Sequence, residues 1–458
     1  MSGASDTEVG VEPVHEGEVP RADPLGHRIL RGTVQTLVGY GAGQILRLGG
    51  NLVLTRLLVP EAFGVMALVN VFLQGLVLFS DVGLSVAILQ HPRGNERVFL
   101  RTVWTMQMIR GLLLFLLATA LAYPVAAFYE NPDLVRYFQV SALGLLAIST
   151  QSTNVWLCNR NLDLGRLTIV DIASQGAGMV VMLLWAWQYR TVWALVAGGI
   201  TVRVVESILS ETLIPGPRMR FAWDKKIAWE VFHFGKWILL GTAMTFSIRQ
   251  VDKIVLGKMM TLDQLGVYGI AFALSGMALH MIEHLGGVVL LPAFSRILES
   301  GDVSSQRKRM LKLRGLYCAG ALPIALGMMF LGQVLIGIMY DPRYQDAGWM
   351  LQIMSIGTGY SVITTTMSPL LLAKGNSRAH MITRTAQLVV LVSLMAVLGY
   401  RFGIMGVLWA GVLAKLLEYP ILQLGIWKYR LSHFALDIPL LLLVSASGMV
   451  IFMAGHSL

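Results

Sequence analysis

The sequence predicts an all-α polytopic membrane protein in which two pseudo-symmetric six-helix bundles surround a central cavity and a thirteenth helix follows at the C-terminus. Three observations support this fold class. The 458 residues are 55% hydrophobic and 14% charged, with a mean hydropathy of +0.65, which is too apolar for an ordinary soluble domain. Apolar stretches of about 20 residues, the length that spans a bilayer, recur along the chain. One of these stretches occurs twice.

The repeated stretch starts near Gln44 and returns 202 positions later without a gap. Residues of matching chemistry coincide under this shift: Arg47 with Arg249, Glu61 with Asp263, Gly64 with Gly266, and Asp81 with Glu283. Charged residues are costly in hydrocarbon, so their coincidence indicates two copies of one module. Six spans precede the second copy, so both copies run in the same direction. The lobes should then be related by an axis along the membrane normal.

The order of the apolar stretches divides the chain into five parts. Thirteen stretches qualify as spanning helices, at about 33–58, 63–90, 102–128, 135–157, 167–187, 191–213, 229–256, 264–291, 313–340, 346–372, 379–400, 403–427 and 435–455. We expect a disordered acidic cytoplasmic tail at 1–26, an N-lobe with helices 1–6 at 27–214, a cytoplasmic linker at 215–228, a C-lobe with helices 7–12 at 229–430, and an additional C-terminal helix at 431–458.

Basic residues are concentrated on one side of the predicted membrane. The segments that share a side with the N-terminus hold 22 of the 36 Lys and Arg residues, with six of them between 296 and 314, whereas the opposite loops hold six. Because cytoplasmic loops retain Lys and Arg, this bias predicts a multi-pass protein with a cytoplasmic N-terminus. The bases are dispersed along the chain, so the net charge of +10 does not indicate nucleic acid as a partner. Membrane lipids are the expected surroundings.

Charged side chains also lie inside the predicted spans. The bases are Arg47, Arg110, Arg203, Lys236, Arg249, Lys253, Arg384 and Lys415, and the acids are Asp81, Asp171, Glu206, Asp252, Glu283 and Glu418. A base at a helix centre costs about 2.5–3.5 kcal/mol, so these bases cannot all face lipid. The spacing i,i+3 predicts local ion pairs for Arg203 with Glu206 and for Lys415 with Glu418.

Arg47 and Arg249 are the strongest candidates for a binding site, because they occupy equivalent mid-helix positions in the two copies. A rise of about 1.5 Å per residue places Arg47 and Asp81 about 10 Å apart along the helix axis, so Asp81 does not obviously neutralise Arg47. Our hypothesis is that both arginines face a hydrated cavity and attract an anionic group, with buried structural pairing as the alternative. The further candidate cavity cations are Lys253, Arg110 and Arg384. The candidates for gating or ion coupling are Asp81, Glu283 and Asp171.

Two motif searches limit the chemistry. His280-Met-Ile-Glu283-His284 matches an inverted zinc-protease signature, but no further ligand follows and Glu283 already has a repeat partner, so we predict no metal site and no catalytic residue. The chain lacks a phosphate-binding G-x-x-x-x-G-K-[ST] loop, so ATP does not drive it directly. We therefore predict a protein that is not an enzyme and needs no cofactor, with H+ or Na+ as the candidate coupling ions.

The run Arg56-Leu-Leu-Val-Pro-Glu-Ala-Phe-Gly-Val-Met-Ala-Leu68, followed by Asp81-Val-Gly-Leu-Ser-Val-Ala-Ile88, resembles the first two helices of bacterial polysaccharide repeat-unit flippases. These belong to the polysaccharide transporter family of the multidrug/oligosaccharidyl-lipid/polysaccharide (MOP) exporter superfamily. The likeness extends over about 30–430 in helix number and lobed arrangement, and it implies a MATE-like fold. The family usually has twelve or fourteen helices, so the thirteen predicted here are a departure.

The resemblance implies a function in the bacterial inner membrane. Undecaprenyl-pyrophosphate-linked oligosaccharide would move from the cytoplasmic to the periplasmic leaflet by alternating access, for O-antigen, capsule, lipopolysaccharide or exopolysaccharide synthesis. The cavity arginines would meet the pyrophosphate, and polymerase and glycosyltransferases would be partners. Three alternatives stay open: a cation-coupled multidrug exporter of the same superfamily, a flippase for another prenyl-linked precursor, and a membrane scaffold without transport. The eight bases against six acids within the spans favour an anionic substrate over a cationic drug.

Overall fold

The computed structural model describes residues 25–161, 163–299, 302–373, 377–427 and 433–455. The regular structure of these residues is helical, and eight of their helices are long and apolar enough to cross a membrane. The predicted all-α polytopic class is therefore confirmed. The predicted tail at 1–26 lies outside the described residues, except for its last two residues, which begin the first helix.

The N-lobe contains eight helices: α1 (Leu25–Leu57), α2 (Pro60–Phe79), α3 (Leu84–Gln90), α4 (Arg97–Phe128), α5 (Leu134–Ser149), α6 (Asn154–Arg160), α7 (Leu164–Tyr189) and α8 (Trp193–Thr212). Pro60 occupies the first turn of α2, where its missing N–H costs nothing. Gly83 has a φ of 65° and separates α2 from α3, because a left-handed residue cannot continue a helix. The predicted span at 63–90 is thus one long helix followed by a short one.

The C-lobe repeats this plan with longer helices: α9 (Lys225–Met259), α10 (Leu262–Glu299), α11 (Val303–Met339), α12 (Ala347–Thr365), α13 (Ser368–Ala373) and α14 (Ser377–Trp427), followed by α15 (Phe434–Gly455). Asp224 begins α9, since its carboxylate accepts hydrogen bonds from the N–H groups of Lys226 and Ile227 at 2.8 and 3.2 Å. Gly403, with a φ of 59°, interrupts α14. The predicted spans at 379–400 and 403–427 therefore meet at this glycine.

The two lobes meet in a reciprocal contact between α2 and α10. A Cβ atom added at Gly64 would collide with the carbonyl oxygen of Leu262, and one added at Gly266 would collide with that of Pro60. The shift of 202 positions converts the first contact into the second. The backbones therefore approach closely on both sides of a pseudo-two-fold axis that lies between these helices.

The remaining contacts between the lobes are not symmetric. Helix α9 packs along α2 and touches α3 and α4, whereas α1 packs on α7 of its own lobe. The lobes are therefore joined mainly through α2, α9 and α10. Arg47, in the middle of α1, is exposed.

A buried polar network attaches α15 to the C-lobe. Arg314 of α11 donates from Nη2 to Oδ1 of Asp437 on α15 at 2.6 Å, and the two side chains are only 4% and 1% exposed. Arg314 also donates from Nε to the hydroxyl of Thr366 at 2.9 Å, and the hydroxyl of Tyr419 contacts the other oxygen of Asp437 at 3.3 Å. The thirteenth predicted span is thus an integral part of the C-lobe.

Candidate functional site

The C-lobe contributes a charged cluster to the middle of the molecule. Arg249 of α9 donates from Nη2 to Oε2 of Glu283 on α10 at 2.7 Å, and its Nη1 lies 3.2 Å from a ring nitrogen of His280. His280 and Glu283 are three residues apart, so both point to the same side of α10. Arg249 and Glu283 are 42% and 31% exposed. The guanidinium of Arg249 therefore contacts both His280 and Glu283, two residues of the motif that matches a zinc-protease signature.

The N-lobe contributes a cluster with a different composition. Arg47 of α1 donates from Nε to Oε1 of Gln175 on α7 at 2.8 Å. Gln175 donates in turn from Nε2 to Oδ1 of Asp171 at 2.6 Å. An amide thus separates this arginine from its nearest acid. Within the described part of the chain, the two terminal nitrogens of Arg47 have no hydrogen-bond partner.

The imidazole of His280 is affected by charges of both lobes. His280 is influenced electrostatically by Arg249 and Glu283 of its own lobe and also by Arg47 of the other lobe. The charges of Arg47, Arg249 and Glu283 thus all act on His280, and Asp171 is linked to Arg47 through the amide of Gln175.

Lys253 lies one helical turn from Arg249, beside the contact with the N-lobe. Its ammonium donates to Oε1 of Gln250 at 2.9 Å and lies 3.8 Å from the centre of the Phe272 ring. Gln250 donates to Gln74 of α2 at 3.1 Å. Lys253 is therefore connected to the opposite lobe through two amides.

Asp252, next to Lys253, was not among the predicted site residues. Its Oδ2 accepts a hydrogen bond from the hydroxyl of Tyr268, and its Oδ1 is buried without a partner among the described residues. The sequence could have identified Asp252 as a candidate, because it is an acid within an apolar span.

Arg110 and Asp81 are placed away from these clusters, at the C-terminal end of α2. Arg110 donates from Nη2 to the carbonyl of Val77 at 2.5 Å and from Nε to the hydroxyl of Ser80 at 3.0 Å, so it satisfies the last turn of α2. Asp81 accepts from the N–H of Gly83 at 3.0 Å. Both side chains therefore stabilise the junction between α2 and α3.

Arg384 lies inside the C-lobe, in a group built on α14. Its Nη1 contacts Oε1 of Glu418 at 3.2 Å, and Glu418 is 3% exposed. Lys415 contacts the other oxygen of Glu418 at 3.7 Å, and Gln387 donates to that oxygen at 3.0 Å. Two cations and one amide thus neutralise one buried acid.

The end of the bundle that carries the α1–α2 turn, called the hairpin end below, is held closed by contacts that the sequence did not reveal. The hydroxyl of Tyr344 donates to the carbonyl of Leu58 at 3.1 Å, and that of Tyr129 donates to the carbonyl of Ile254 at 3.2 Å. In each case, a tyrosine that follows a long helix of one lobe contacts the first helix of the other lobe or the residue directly after that helix. These two contacts are part of a group of contacts between the lobes that we call the hairpin-end seal.

Three further polar contacts complete the hairpin-end seal: Glu61 N–H to Asp263 Oδ1 at 3.1 Å, Lys258 Nζ to Glu130 Oε1 at 2.7 Å, and Arg343 Nη2 to the carbonyls of Thr55 and Arg56 at 3.4 and 3.3 Å. The hydrogen bond from Lys258 lowers the pKa of the Glu130 carboxyl from its usual value. Arg343 likewise lowers the pKa of the Asp341 carboxyl, mainly through a hydrogen bond. Glu130 and Asp341 are therefore charged at neutral pH.

Curated relatives are proteins of cell-surface polysaccharide synthesis. The chain is 23% identical over 419 residues to a putative O-antigen transporter of Shigella flexneri, and the match covers 88% of this chain and 97% of that protein. It is 20% identical over 298 residues to the teichuronic acid biosynthesis protein TuaB of Bacillus subtilis (strain 168), with 65% of this chain covered. The matched region spans 61% of the length of TuaB.

Solved structures share the fold. A structure of the lipid II flippase MurJ in an inward closed conformation superposes with a TM-score of 0.65 at 14% identity, covering 93% of each chain. A family model described as "Polysaccharide biosynthesis protein" matches residues 53–348. The resemblance indicated by the first hairpin is thus confirmed, and the chain belongs to this polysaccharide biosynthesis protein family.

Proposed function

We propose that this protein is a flippase that moves lipid-linked oligosaccharide repeat units across the bacterial inner membrane by alternating access. The observation that carries the proposal is that Arg47 of one lobe and Arg249 of the other both act electrostatically on His280, while the lobes are in contact at the hairpin end. The family and the names of the relatives support the substrate class. The distribution of basic residues supports a cytoplasmic N-terminus, with the hairpin end towards the periplasm.

Pyrophosphate is the part of such a substrate that the two clusters suit. A guanidinium binds phosphate oxygens through two parallel hydrogen bonds and stays charged at all relevant pH values. Arg47 has terminal donors available, whereas Arg249 must exchange its contact with Glu283 for the phosphate. Binding therefore recruits one arginine directly and displaces an acid from the other.

The displaced acid supports a proposal for coupling. Glu283, once separated from Arg249 by a phosphate group, becomes a partly buried carboxylate without its partner cation, which favours binding H+ or Na+. Asp171 is the corresponding acid of the N-lobe. Coupling to an ion gradient would then use residues of the binding clusters themselves. Polymerase and glycosyltransferases of the same pathway are the proposed partners that supply and consume the lipid.

The experiment is complementation of polysaccharide export in a strain that lacks its own copy of the gene. We expect Arg47→Ala and Arg249→Ala to reduce exported polysaccharide at least tenfold, with lipid-linked repeat units accumulating in the membrane by mass spectrometry. Arg203→Ala is the matched control, because Arg203 is an intramembrane arginine in a local pair with Glu206 at 3.1 Å. Full export by both arginine variants at normal protein levels would refute the proposal. Dye efflux without lipid accumulation would instead support the multidrug exporter.

A further inference from the structure

A groove at the hairpin end lies apart from both arginine clusters. Its volume is about 670 Å³, within the range of small-molecule sites. It is formed by the α1–α2 turn, the start of α10, the start of α12 and the second part of α14. Under the proposed orientation, this groove opens on the periplasmic side, where the glycan of a flipped lipid emerges.

The groove combines one exposed and one partly buried aromatic ring with polar groups of both charges. Trp349 and Phe402 line it, and Phe402 is 64% exposed. Asp263, Asp346 and Arg343 line it as well. Aromatic side chains in a wet site offer flat apolar faces at low entropic cost, and charged groups form the stronger hydrogen bonds with neutral hydroxyls. A pyranose ring, with an apolar face and a rim of hydroxyls, has the complementary chemistry.

The charges of the groove discriminate between parts of the substrate. Asp263 and Asp346 provide two acids against the single base Arg343, and Arg343 is already paired with Asp341 at 2.8 Å. A pyrophosphate would be repelled here. A prenyl chain would leave these charged groups desolvated without partners. The neutral saccharide is the portion that fits.

The polar groups of the groove also hold the lobes together. Asp263 accepts the hydrogen bond from the N–H of Glu61, and Arg343 donates to the carbonyls of Thr55 and Arg56. Pro60, another lining residue, is the partner of Gly266 in the reciprocal helix contact. A ligand that uses Asp263 or Arg343 must therefore compete with the hairpin-end seal.

We propose that this groove binds a short segment of neutral oligosaccharide, and that its occupation weakens the hairpin-end seal. The proposal rests on the proposed function for the orientation of the groove and for the presence of a glycan beside it. Trp349 and Phe402 provide the stacking surfaces, and Asp263 and Arg343 link saccharide binding to separation of the lobes.

The binding test uses the full-length protein in lipid nanodiscs. The probe is a set of oligosaccharides made by partial hydrolysis of the extracellular polysaccharide of the host strain, and binding is measured by calorimetry. We expect Trp349→Ala and Phe402→Ala each to weaken binding at least tenfold. Trp187→Ala is the control, because Trp187 is an aromatic residue of the N-lobe that is 74% exposed and does not line the groove. Unchanged affinity in both groove variants, or no binding by the wild-type protein, would overturn the proposal.

The seal test measures access to Leu58, which is fully buried. A cysteine in its place (Leu58→Cys) should react several-fold faster with an impermeant thiol reagent when the oligosaccharides are present, and Trp349→Ala should abolish this increase. A cysteine at Tyr400, which is 92% exposed, should react at one rate throughout. Equal rates at position 58 with and without oligosaccharide would refute the link to the seal.

The two proposals fail separately. A protein that exports polysaccharide through Arg47 and Arg249 but binds no oligosaccharide refutes the groove alone. A protein that binds oligosaccharide through Trp349 but shows no dependence of export on the arginines supports the groove and refutes the proposed function.

Discussion

At the scale of single residues, the two copies of the repeat provide their equivalent arginines with different hydrogen-bond partners. Arg249 has a carboxylate and an imidazole as direct partners, whereas Arg47 has an amide. An ion pair neutralises a charge, while an amide compensates only part of the lost hydration. Arg47 is therefore the more electropositive of the two positions, and the first contact of an anionic head group should occur there.

Gln175→Glu tests this difference between the arginines. The substitution keeps the shape of the side chain but places a carboxylate on Arg47, which turns the N-lobe cluster into an ion pair like that of Arg249. We expect at least a tenfold loss of export in the complementation assay, with normal protein levels. Gln345→Glu, at an exposed position outside the helices, should leave export unchanged. Normal export by Gln175→Glu would show that the availability of Arg47 is not needed.

Sequence reasoning located the charged residues and the local pairs Arg203–Glu206 and Lys415–Glu418, which are confirmed, but not the partners that are distant in sequence. The repeat register identified Arg47 and Arg249 as equivalent, and that register is visible in the reciprocal glycine contacts. Asp81 aligns with Glu283 in sequence, yet it lies in a turn after α2 because Gly83 adopts a positive φ. Arg314 was counted with the cytoplasmic bases, since a count of charges near span ends does not distinguish a loop residue from a buried one. Its true partner, Asp437, is 123 residues away.

At the scale of helices, α15 shows how one element is attached. Its contacts with the C-lobe include a buried ion pair, which is costly to form but far more costly to break on one side. Removal of one partner leaves an uncompensated charge in an apolar environment. The position of α15 therefore depends on both Arg314 and Asp437.

Asp437→Ala should destabilise the protein by about 3–5 kcal/mol, seen as a lower midpoint of thermal unfolding in detergent. Arg314→Met combined with Asp437→Leu should recover most of this loss, because no unpaired charge remains. Arg93→Ala, which removes an exposed pair with Glu96, should change stability by less than about 1 kcal/mol. A double variant as unstable as Asp437→Ala would show that packing, and not the unpaired charge, causes the loss.

The helix breaks were harder to predict than the helices. All thirteen predicted stretches lie on helices, but those at 63–90, 135–157 and 346–372 each divide into a long and a short helix. A hydropathy window averages over such breaks, because the residues on either side are equally apolar. The breaks depend on single backbone conformations, such as that of Gly83, which composition does not report.

At the scale of the whole molecule, the hairpin-end seal defines the conformation of the structure: the two lobes are in contact at the hairpin end. The lobes are joined there by close backbone contacts and by polar contacts, each between a residue of one lobe and a residue of the other. None of these contacts lies within a single lobe, so the seal must open when the lobes separate. Under the proposed alternating access, the strength of the seal sets the balance between joined and separated lobes.

Gly64→Ala should shift this balance, because the added Cβ collides with the carbonyl of Leu262 and a backbone atom cannot give way as a flexible side chain would. We expect a longer distance between spin labels at Val59 and Phe402, measured by double electron–electron resonance, with a population of separated lobes. Gly269→Ala is the control, since a Cβ at this α10 glycine meets nothing within 4 Å. An unchanged distance distribution in Gly64→Ala would refute the role of this contact.

The lobed architecture followed from the repeat, but the unequal packing of α1 and α9 did not. A repeat in sequence predicts equal neighbours for equivalent helices, and it contains no information on which conformation a transporter adopts. Helix α9 packs against helices of both lobes, whereas α1 packs along α7 of its own lobe and contacts the C-lobe only near its C-terminal end, at Thr55 and Arg56. Substitutions at equivalent positions of these two helices should therefore differ in their effects: those in α9 should weaken packing between the lobes, and those in α1 should weaken packing within the N-lobe.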